Sequence, residues 1–332
     1  ISLKINIILK KNNMKDLVII TGVAGMVGSN LLEKIIKKRN QIIIGIDNYR
    51  LGKKGHIKKY LKYKNFFFFN IDLSKKINSK KLKNLLKINK LKEAWLFAAN
   101  SDIRKGVNNP EIDIKNTFLS TFNTIQFINK YLLDNSKIYY TSTSAIYGEI
   151  KSKIDENTSP LNPISNYGSS KLASEAILSS YSHLNSCKIF IFRFPNVIGK
   201  NLTHGLLFDM KKKILNKKSF IQILGDGKQK KPYSHVSEIL ECMIYLSKKK
   251  YKRDFNVFNI GTNDSGMKVD DIVFSMLKKY GIKKKIKYQN SKIGWKGDVA
   301  RYRYSTNKIN KIGFNFQMNS RMAILRAIDE NL

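Results

Sequence analysis
Residues 21–29 read Thr-Gly-Val-Ala-Gly-Met-Val-Gly-Ser, directly after an apolar run at 17–20. An apolar strand that feeds Gly22-x-x-Gly25-x-x-Gly28 and then an amphipathic stretch predicts a tight turn that opens a helix. Gly22 permits the turn, Gly25 the close approach of a pyrophosphate, and Gly28 the close packing of helix on strand. The freed N–H groups and the helix dipole then face a phosphate.

The rest of the chain repeats this rhythm. Strands are expected at 17–21, 41–47, 66–72, 94–99, 137–143 and 189–194, with a further one at 257–260 returning to the sheet. Amphipathic stretches separate them, among them 26–38, a long helix at 112–131 and a helix carrying Tyr167 and Lys171. Four consecutive phenylalanines at 66–69 suit a strand covered on both faces. This alternation predicts an α/β fold, a doubly wound parallel Rossmann sheet with a smaller C-terminal substrate-binding lobe. We expect a dinucleotide-binding domain at 14–196, with a returning segment near 236–261. The lobe is expected at 197–235 and 262–332. Residues 1–13 are read as an extension outside the fold, since Met14 stands immediately before the first strand.

Composition narrows the class. The chain has 332 residues and 42% hydrophobic content, with no apolar run near the roughly 20 residues that a membrane span needs. Cys187 and Cys242 lack metal-ligand spacing and read as reduced core thiols, which fits a cytoplasmic protein. Four scattered histidines give no metal site. Against 24 Asp and Glu stand 62 Lys and Arg, a formal charge of +38. Such a field attracts polyanions. The lysines, however, form short runs throughout the chain and no single arm with interleaved aromatics, so a nucleic-acid partner is not expected.

The chemistry comes from the strand ends. Asp47 closes the second predicted strand, 19 residues after Gly28. A carboxylate there accepts from both hydroxyls of an adenosine ribose and repels a 2′-phosphate, favouring NAD over NADP. Nearby Arg50 weakens that preference without reversing it. Asp72 and Leu73, at the end of the third strand, are placed to meet the adenine. Tyr167 and Lys171 stand four apart on one helical face. An ammonium beside a phenol favours the phenolate, and a positive nicotinamide ring adds to this. A group with a reference pKa of about 10 thereby becomes a base near neutrality. Thr143, ending the fifth strand, offers a hydroxyl to the reacting oxygen.

With these motifs the chain resembles the extended short-chain dehydrogenase/reductase family, in particular its nucleotide-sugar epimerases and dehydratases. The resemblance covers about residues 16–330. It rests on TGVAGMVGS, Asp47-Asn48, Asp72-Leu73, LFAANSD (96–102), YTSTSAIYGE (140–149), NYGSSK (166–171), RFPNVIG (193–199), GDGKQKKPYSHV (225–236) and WKGDV (295–299). It implies NAD held at the glycine turn by Gly22, Gly25, Met26, Val27 and Gly28. At the strand ends it implies Asp47, Asn48, Asp72, Leu73, Ala98 and Ala99, with Tyr167 and Lys171 serving both cofactor and chemistry. The family's catalytic Ser or Thr falls on Thr143. Its sugar 4,6-dehydratases follow that residue with Asp-Glu, and its UDP-glucuronate decarboxylases keep a glutamate at the second place. Here the two places hold Ser144 and Ala145.

Ala145 cannot move a proton, whereas removing and returning a hydride at C4 needs only Thr143, Tyr167, Lys171 and NAD. The resemblance therefore implies a nucleotide-sugar 4-epimerase, UDP-glucose/UDP-galactose foremost, in which the 4-keto sugar turns over between the two hydride transfers. Ser144 and Asn196 would meet the substrate, Asn196 near its diphosphate. Lys231 stands where an arginine usually binds phosphate. Trp295 replaces a second such arginine, and Lys292, Arg301 or Arg303 could take over its task. Tyr302 aligns with a site where bulk disfavours N-acetylated sugars, although it could equally be a packed lobe residue. Pro195 replaces an aromatic common near the nicotinamide. Rival readings are another enzyme of this class (a 4-ketoreductase, a uronate or N-acetylhexosamine epimerase, or a dehydratase) and a non-catalytic basic Rossmann protein that binds nucleic acid. The family also implies a homodimer, paired through the 111–131 helix and the Tyr167 helix. Glu149 and Glu175 read as surface residues, and His235 as a loop or strand residue.

Overall fold
A computed structural model describes residues 14–38, 40–150, 152–185, 187–289 and 303–331. Strand β1 (Asp16–Thr21) shows why the fold forms. Leu17 and Ile19 point into one core cluster, Val18 and Ile20 into another, and all four are buried. Both faces of the strand are thus covered, each fully buried side chain contributing about 1.5–3 kcal/mol.

Six more strands join it: β2 (Gln41–Asp47), β3 (Phe66–Asn70), β4 (Lys90–Leu96), β5 (Leu132–Thr143), β6 (Lys188–Phe194) and β7 (Phe255–Asn259). The sheet order is β7-β6-β5-β4-β1-β2-β3, and every neighbouring pair runs parallel. The order reverses between β1 and β4, so a crevice opens beyond their carboxyl ends. Although β3 is an edge strand, Phe67 and Phe69 enter one cluster and Phe66 the other.

The helices on the two faces include α1 (Met26–Ile35), α2 (Asn166–Asn185) and α3 (Val236–Ser247). Cys187 and Cys242 are free and buried. A third cluster, with Leu207, Met210, Ile272, Met276 and Ile324, lies in the C-terminal lobe. Helices Leu206–Leu215, Val269–Tyr280 and Ser320–Glu330 surround it. No helix among the described residues is long and apolar enough to cross a membrane.

Some boundaries differ from the sequence reading. β4 ends at Leu96, leaving Ala98 and Ala99 in the loop beyond it; β3 ends at Asn70, before Asp72. α1 stops at Ile35. The long helix is interrupted: a turn at Pro110–Asp113 leads into a π-helical stretch, Ile114–Leu119, before Ser120–Ile128. There the Ser120 hydroxyl donates to the Lys115 carbonyl five residues back, spanning the widened turn.

Glu175 is not a surface residue. It lies buried on α2 and receives Arg193 of β6 through Nε at 3.1 and 3.2 Å and Nη2 at 2.6 Å. Arg193 Nη1 also donates to the Tyr147 hydroxyl at 2.9 Å, and Tyr147 donates to Asn259 Oδ1 at 2.8 Å. Tyr304 donates to the Arg193 carbonyl, so the network reaches from the sheet to the C-terminal segment. Glu175→Ala would leave a buried guanidinium without its carboxylate, and the expected cost in urea unfolding is about 3–5 kcal/mol. A loss below about 1 kcal/mol, the value of an exposed pair, would show that the bridge does not hold the fold.

Candidate active site
The glycine turn does what its spacing requires. Gly22 adopts φ +65°, and a Cβ there would lie 2.8 Å from the Ala98 nitrogen. At Gly28 a Cβ would fall 2.3 Å from the Gly22 carbonyl oxygen, so only glycine lets α1 sit this close to the turn. Gly25 is the N-cap of α1, and no side chain caps the first turn. Gly25, Met26, Val27 and Gly28 line a cleft of about 500 Å³ that runs along the sheet's carboxyl edge. A smooth wall of uncapped amides at the positive end of a helix fits a pyrophosphate. The Thr21 hydroxyl accepts from the Phe97 and Ala98 nitrogens at 3.1 and 3.2 Å, fixing the β4 loop against the turn.

Asp47 is buried, and its two oxygens accept from the Ala24 nitrogen at 2.9 Å and the Tyr49 nitrogen at 2.7 Å. A carboxylate offers about four acceptor sites, so capacity for a ribose hydroxyl remains beside these bonds. Burial pushes the carboxyl up, while these backbone bonds oppose the shift. His56 Nδ1 lies 2.8 Å from the Ala24 carbonyl; burial holds its imidazole below the usual pKa. Asn48, Leu73, Ala98 and Ala99 line the same cleft. Asp72 is turned to Ser74, accepting from its nitrogen at 3.0 Å and its hydroxyl at 2.7 Å, and is not part of the cleft wall.

Thr143, Tyr167 and Lys171 meet at the end of β5 and the start of α2. Thr143 Oγ1 accepts from the Ala145 nitrogen at 3.1 Å and lies in hydrogen-bond contact with the Tyr167 hydroxyl. Lys171 Nζ donates to the Thr141 carbonyl at 2.6 Å and stands 5.8 Å from the centre of the Tyr167 ring and 4.7 Å from that of Tyr140. Burial dominates both groups: it pushes the Tyr167 phenol up, with Asp113 adding to the shift and Thr143 opposing it. It also lowers Lys171 to about 7, against the pull of Glu175 and Asp113. Desolvation penalises whichever form is charged.

Ser144, Asn196 and Lys231 also line the cleft; Asn196 Nδ2 donates to the Pro232 carbonyl at 3.3 Å. Tyr302, Trp295, Lys292 and Arg301 lie outside the described residues, as does the Arg303 side chain. The sequence reading missed several polar residues here. Asn100 and Asp102 follow the Ala98-Ala99 pair, so their position just past β4 was a usable signal. Asn100 Nδ2 donates to Asp113 Oδ1 at 2.7 Å, and Asp113 is fully buried. His204 also lines the wall, its Nδ1 2.8 Å from Thr203 Oγ1. His235 caps α3 and meets Glu330 at 2.9 Å, away from the cleft. Among the described residues no cluster of His, Cys, Asp or Glu could hold a metal.

A parallel sheet, a glycine turn at its switch point and a Tyr–Lys pair facing that turn define a dinucleotide-dependent enzyme class. Residues 18–261 match the model of the NAD dependent epimerase/dehydratase family, and the chain belongs to that family. A putative UDP-glucose 4-epimerase of Methanocaldococcus jannaschii is 27% identical over 318 residues, covering 94% of this chain and 97% of that protein. The fold matches a UDP-glucose 4-epimerase from Thermotoga maritima solved with UDP-glucose, at TM-score 0.81 and 22% identity over 95% of this chain and 98% of that one. A UDP-glucuronic acid 4-epimerase from Bacillus cereus, solved with UDP-glucuronic acid and NAD, gives the same TM-score, identity and coverage. The cofactor is NAD.

The buried lysine has a consequence for stability. Its pKa is lowered from the usual 10.5 to about 7, so between those values the unfolded chain binds the extra proton and the folded one does not. Stability from this group is therefore lowest below about pH 7 and rises towards pH 10.5, by at most about 1.4 kcal/mol per pH unit. Urea unfolding of NAD-free protein should show this rise, and Lys171→Met should lose it. Parallel pH profiles for the two proteins would mean that the lysine keeps its charge on folding.

Proposed function
We propose that the protein is an NAD-dependent nucleotide-sugar 4-epimerase acting on UDP-hexoses, UDP-glucose/UDP-galactose foremost. The observation that carries this reading is the meeting of Thr143, Tyr167 and Lys171 at the cleft, followed on the chain by Ser144 and Ala145 in place of acids. A 4,6-elimination needs a proton donor and acceptor beside the reacting carbons, whereas C4 inversion needs one base and one hydride acceptor.

NAD, when bound, would supply the hydride acceptor and donor for C4. The protein's part is to position and to move one proton. Thr143 orients the O4 hydroxyl. Tyr167 takes the O4 proton as the carbonyl forms and returns it after the sugar has turned. Positive charge that NAD would bring beside Lys171 would offset the burial that pushes the Tyr167 phenol up. Gly22, Gly25 and Gly28 would hold the pyrophosphate, and Asp47 would hold the adenosine ribose. Asn196 and Lys231 anchor the substrate diphosphate while the sugar rotates. Lysine there keeps the charge of an arginine without its two-pronged grip.

In this reading residues 14–196, with 236–261, hold the cofactor, and 197–235 with 262–332 hold the nucleotide. We also infer a homodimer through the 110–131 helical stretch and α2. In support, Ile114 and Leu184 are 48% and 80% exposed on those elements. Light scattering on the purified protein tests this, and a monomer at micromolar concentration would refute it.

The activity is tested by incubating the protein with UDP-galactose without added NADH and following UDP-glucose by NMR. Conversion with no net change in NADH absorbance is expected, and Tyr167→Phe should lower the rate by about 10²–10⁴-fold with the fold intact. A Tyr167→Phe rate within about tenfold of the parent would remove Tyr167 from the chemistry.

A further inference from the structure
Two lysine runs that stand far apart in the chain meet in the C-terminal lobe. Residues 211–225 and 278–289 together hold 11 lysines, with no acidic residue and no arginine. Helix Leu206–Leu215 leads into a strand, Phe220–Ile223, and helix Val269–Tyr280 into another, Lys285–Tyr288. The two strands pair in parallel, with Lys285 opposite Phe220. Both helix-to-strand loops, 216–219 and 281–284, therefore fall at one end of the lobe. The opposite strand end, at Ile223 and Leu224, lines the cleft, as does Lys213; neither loop does. Lys284 ties the loops together: its Nζ donates to the Asn216 carbonyl at 2.6 Å, to Asn216 Oδ1 at 3.0 Å and to the Lys213 carbonyl at 3.2 Å.

Some of these lysines have structural tasks. Lys213 Nζ donates to the Gln222 carbonyl at 2.7 Å, Lys211 to the Asn331 carbonyl, and Lys279 pairs with Asp329. Lys212 and Lys287 each lie 4.3 Å from the centre of a phenylalanine ring, Phe208 and Phe220. Lys217, Lys218, Lys278, Lys283 and Lys285 are exposed and form no ion pair with a described residue. A helix dipole accounts for Lys278 in a last turn, but Lys217, Lys218 and Lys283 lie beyond the helix ends. Leu215 stands beside them, 54% exposed. We propose that this end of the lobe docks on the surface of a bilayer that contains anionic lipid. Such a surface is a plane of negative charge, which lysine meets as a hydrated point charge without a fixed partner geometry. Arginine, whose fork suits the phosphates and base edges of nucleic acid, is absent from both runs. An exposed leucine among lysines can enter the headgroup boundary. At physiological salt charges are screened beyond about 8 Å, so only the lysines of the touching face contribute. Each strengthens binding roughly fivefold.

Co-sedimentation with phosphatidylcholine vesicles, pure or containing about one-third phosphatidylglycerol, tests this at about 0.15 M salt. The full chain should bind the anionic vesicles at least about tenfold more strongly than the neutral ones. Replacing Lys217, Lys218, Lys283 and Lys285 together by serine should weaken that binding at least about tenfold, and Leu215→Ser about threefold. A matched variant with serine at Lys76, Lys80, Lys81 and Lys87, all exposed, removes the same charge elsewhere and should lose less than about threefold. Should the first variant fail to fold by circular dichroism, Lys217→Ser/Lys218→Ser gives the same reading with a loss of at least about fivefold. Equal binding to both kinds of vesicle, or binding to neither, would overturn the proposal. Equal losses in the two fourfold variants would trace the attraction to the charge of the whole chain and overturn it as well. So would a lobe variant that keeps its vesicle binding but loses an oligothymidylate bound by the parent, since that face would then belong to nucleic acid.

Discussion

The Glu175–Arg193 bridge is the constraint on which the site's geometry depends. Glu175 lies one helical turn beyond Lys171 and two beyond Tyr167, on the same face of α2. Its partner is on β6, whose end leads directly to Pro195 and Asn196 at the cleft. A single buried ion pair therefore sets how α2 lies along the sheet, and with it the height of the phenol and the amine. Tyr147 and Asn259 extend the bond to the segment after Thr143 and to β7. The isolated cost of burying both charges is large, so the pair is favourable only because three donor–acceptor contacts and the tyrosine hydroxyl satisfy it together.

That rigid frame buries Tyr167 and Lys171 side by side. Burial raises the Tyr167 phenol and lowers the Lys171 amine, while Asp113 acts on both in the direction of retained protons. In the proposed reaction, positive charge beside Tyr167 would offset this burial and favour its ionisation.

The sheet and the glycine turn were legible because both depend on local pattern. The continuous apolar run at 17–20, buried on both faces, the Gly22/Gly25/Gly28 spacing and the Tyr167/Lys171 interval are all set by residues close in sequence. The sequence reading failed where partners come from afar. Glu175 looked like surface because the apolar stripe of α2 is weak, and only β6 reveals Arg193 across from it. The π-helical stretch Ile114–Leu119 follows from hydroxyl back-bonds and the Thr117 contact with the Asn100 nitrogen, neither of which a periodicity shows. Asp72 is expected at a strand end, whereas β3 stops two residues earlier and Ser74, only two residues on, also takes up its carboxylate. Asp113 left no trace in the sequence: it becomes meaningful only when Gly106, with no side chain, makes room for its carboxylate.

The same distinction governs charge. The chain carries +38, yet most of its lysines lie on outer faces, where salt screens them beyond about 10 Å. Inside the cleft the balance is local and polarised. Lys213 and Lys231 line the wall contributed by the lobe, whereas Asp47 and Asp102 line it elsewhere. In the proposed reading the lysines would hold the diphosphate while the sugar lies towards Tyr167. The surface lysines add little to that local field, because salt screens them over the distances that separate them from the cleft.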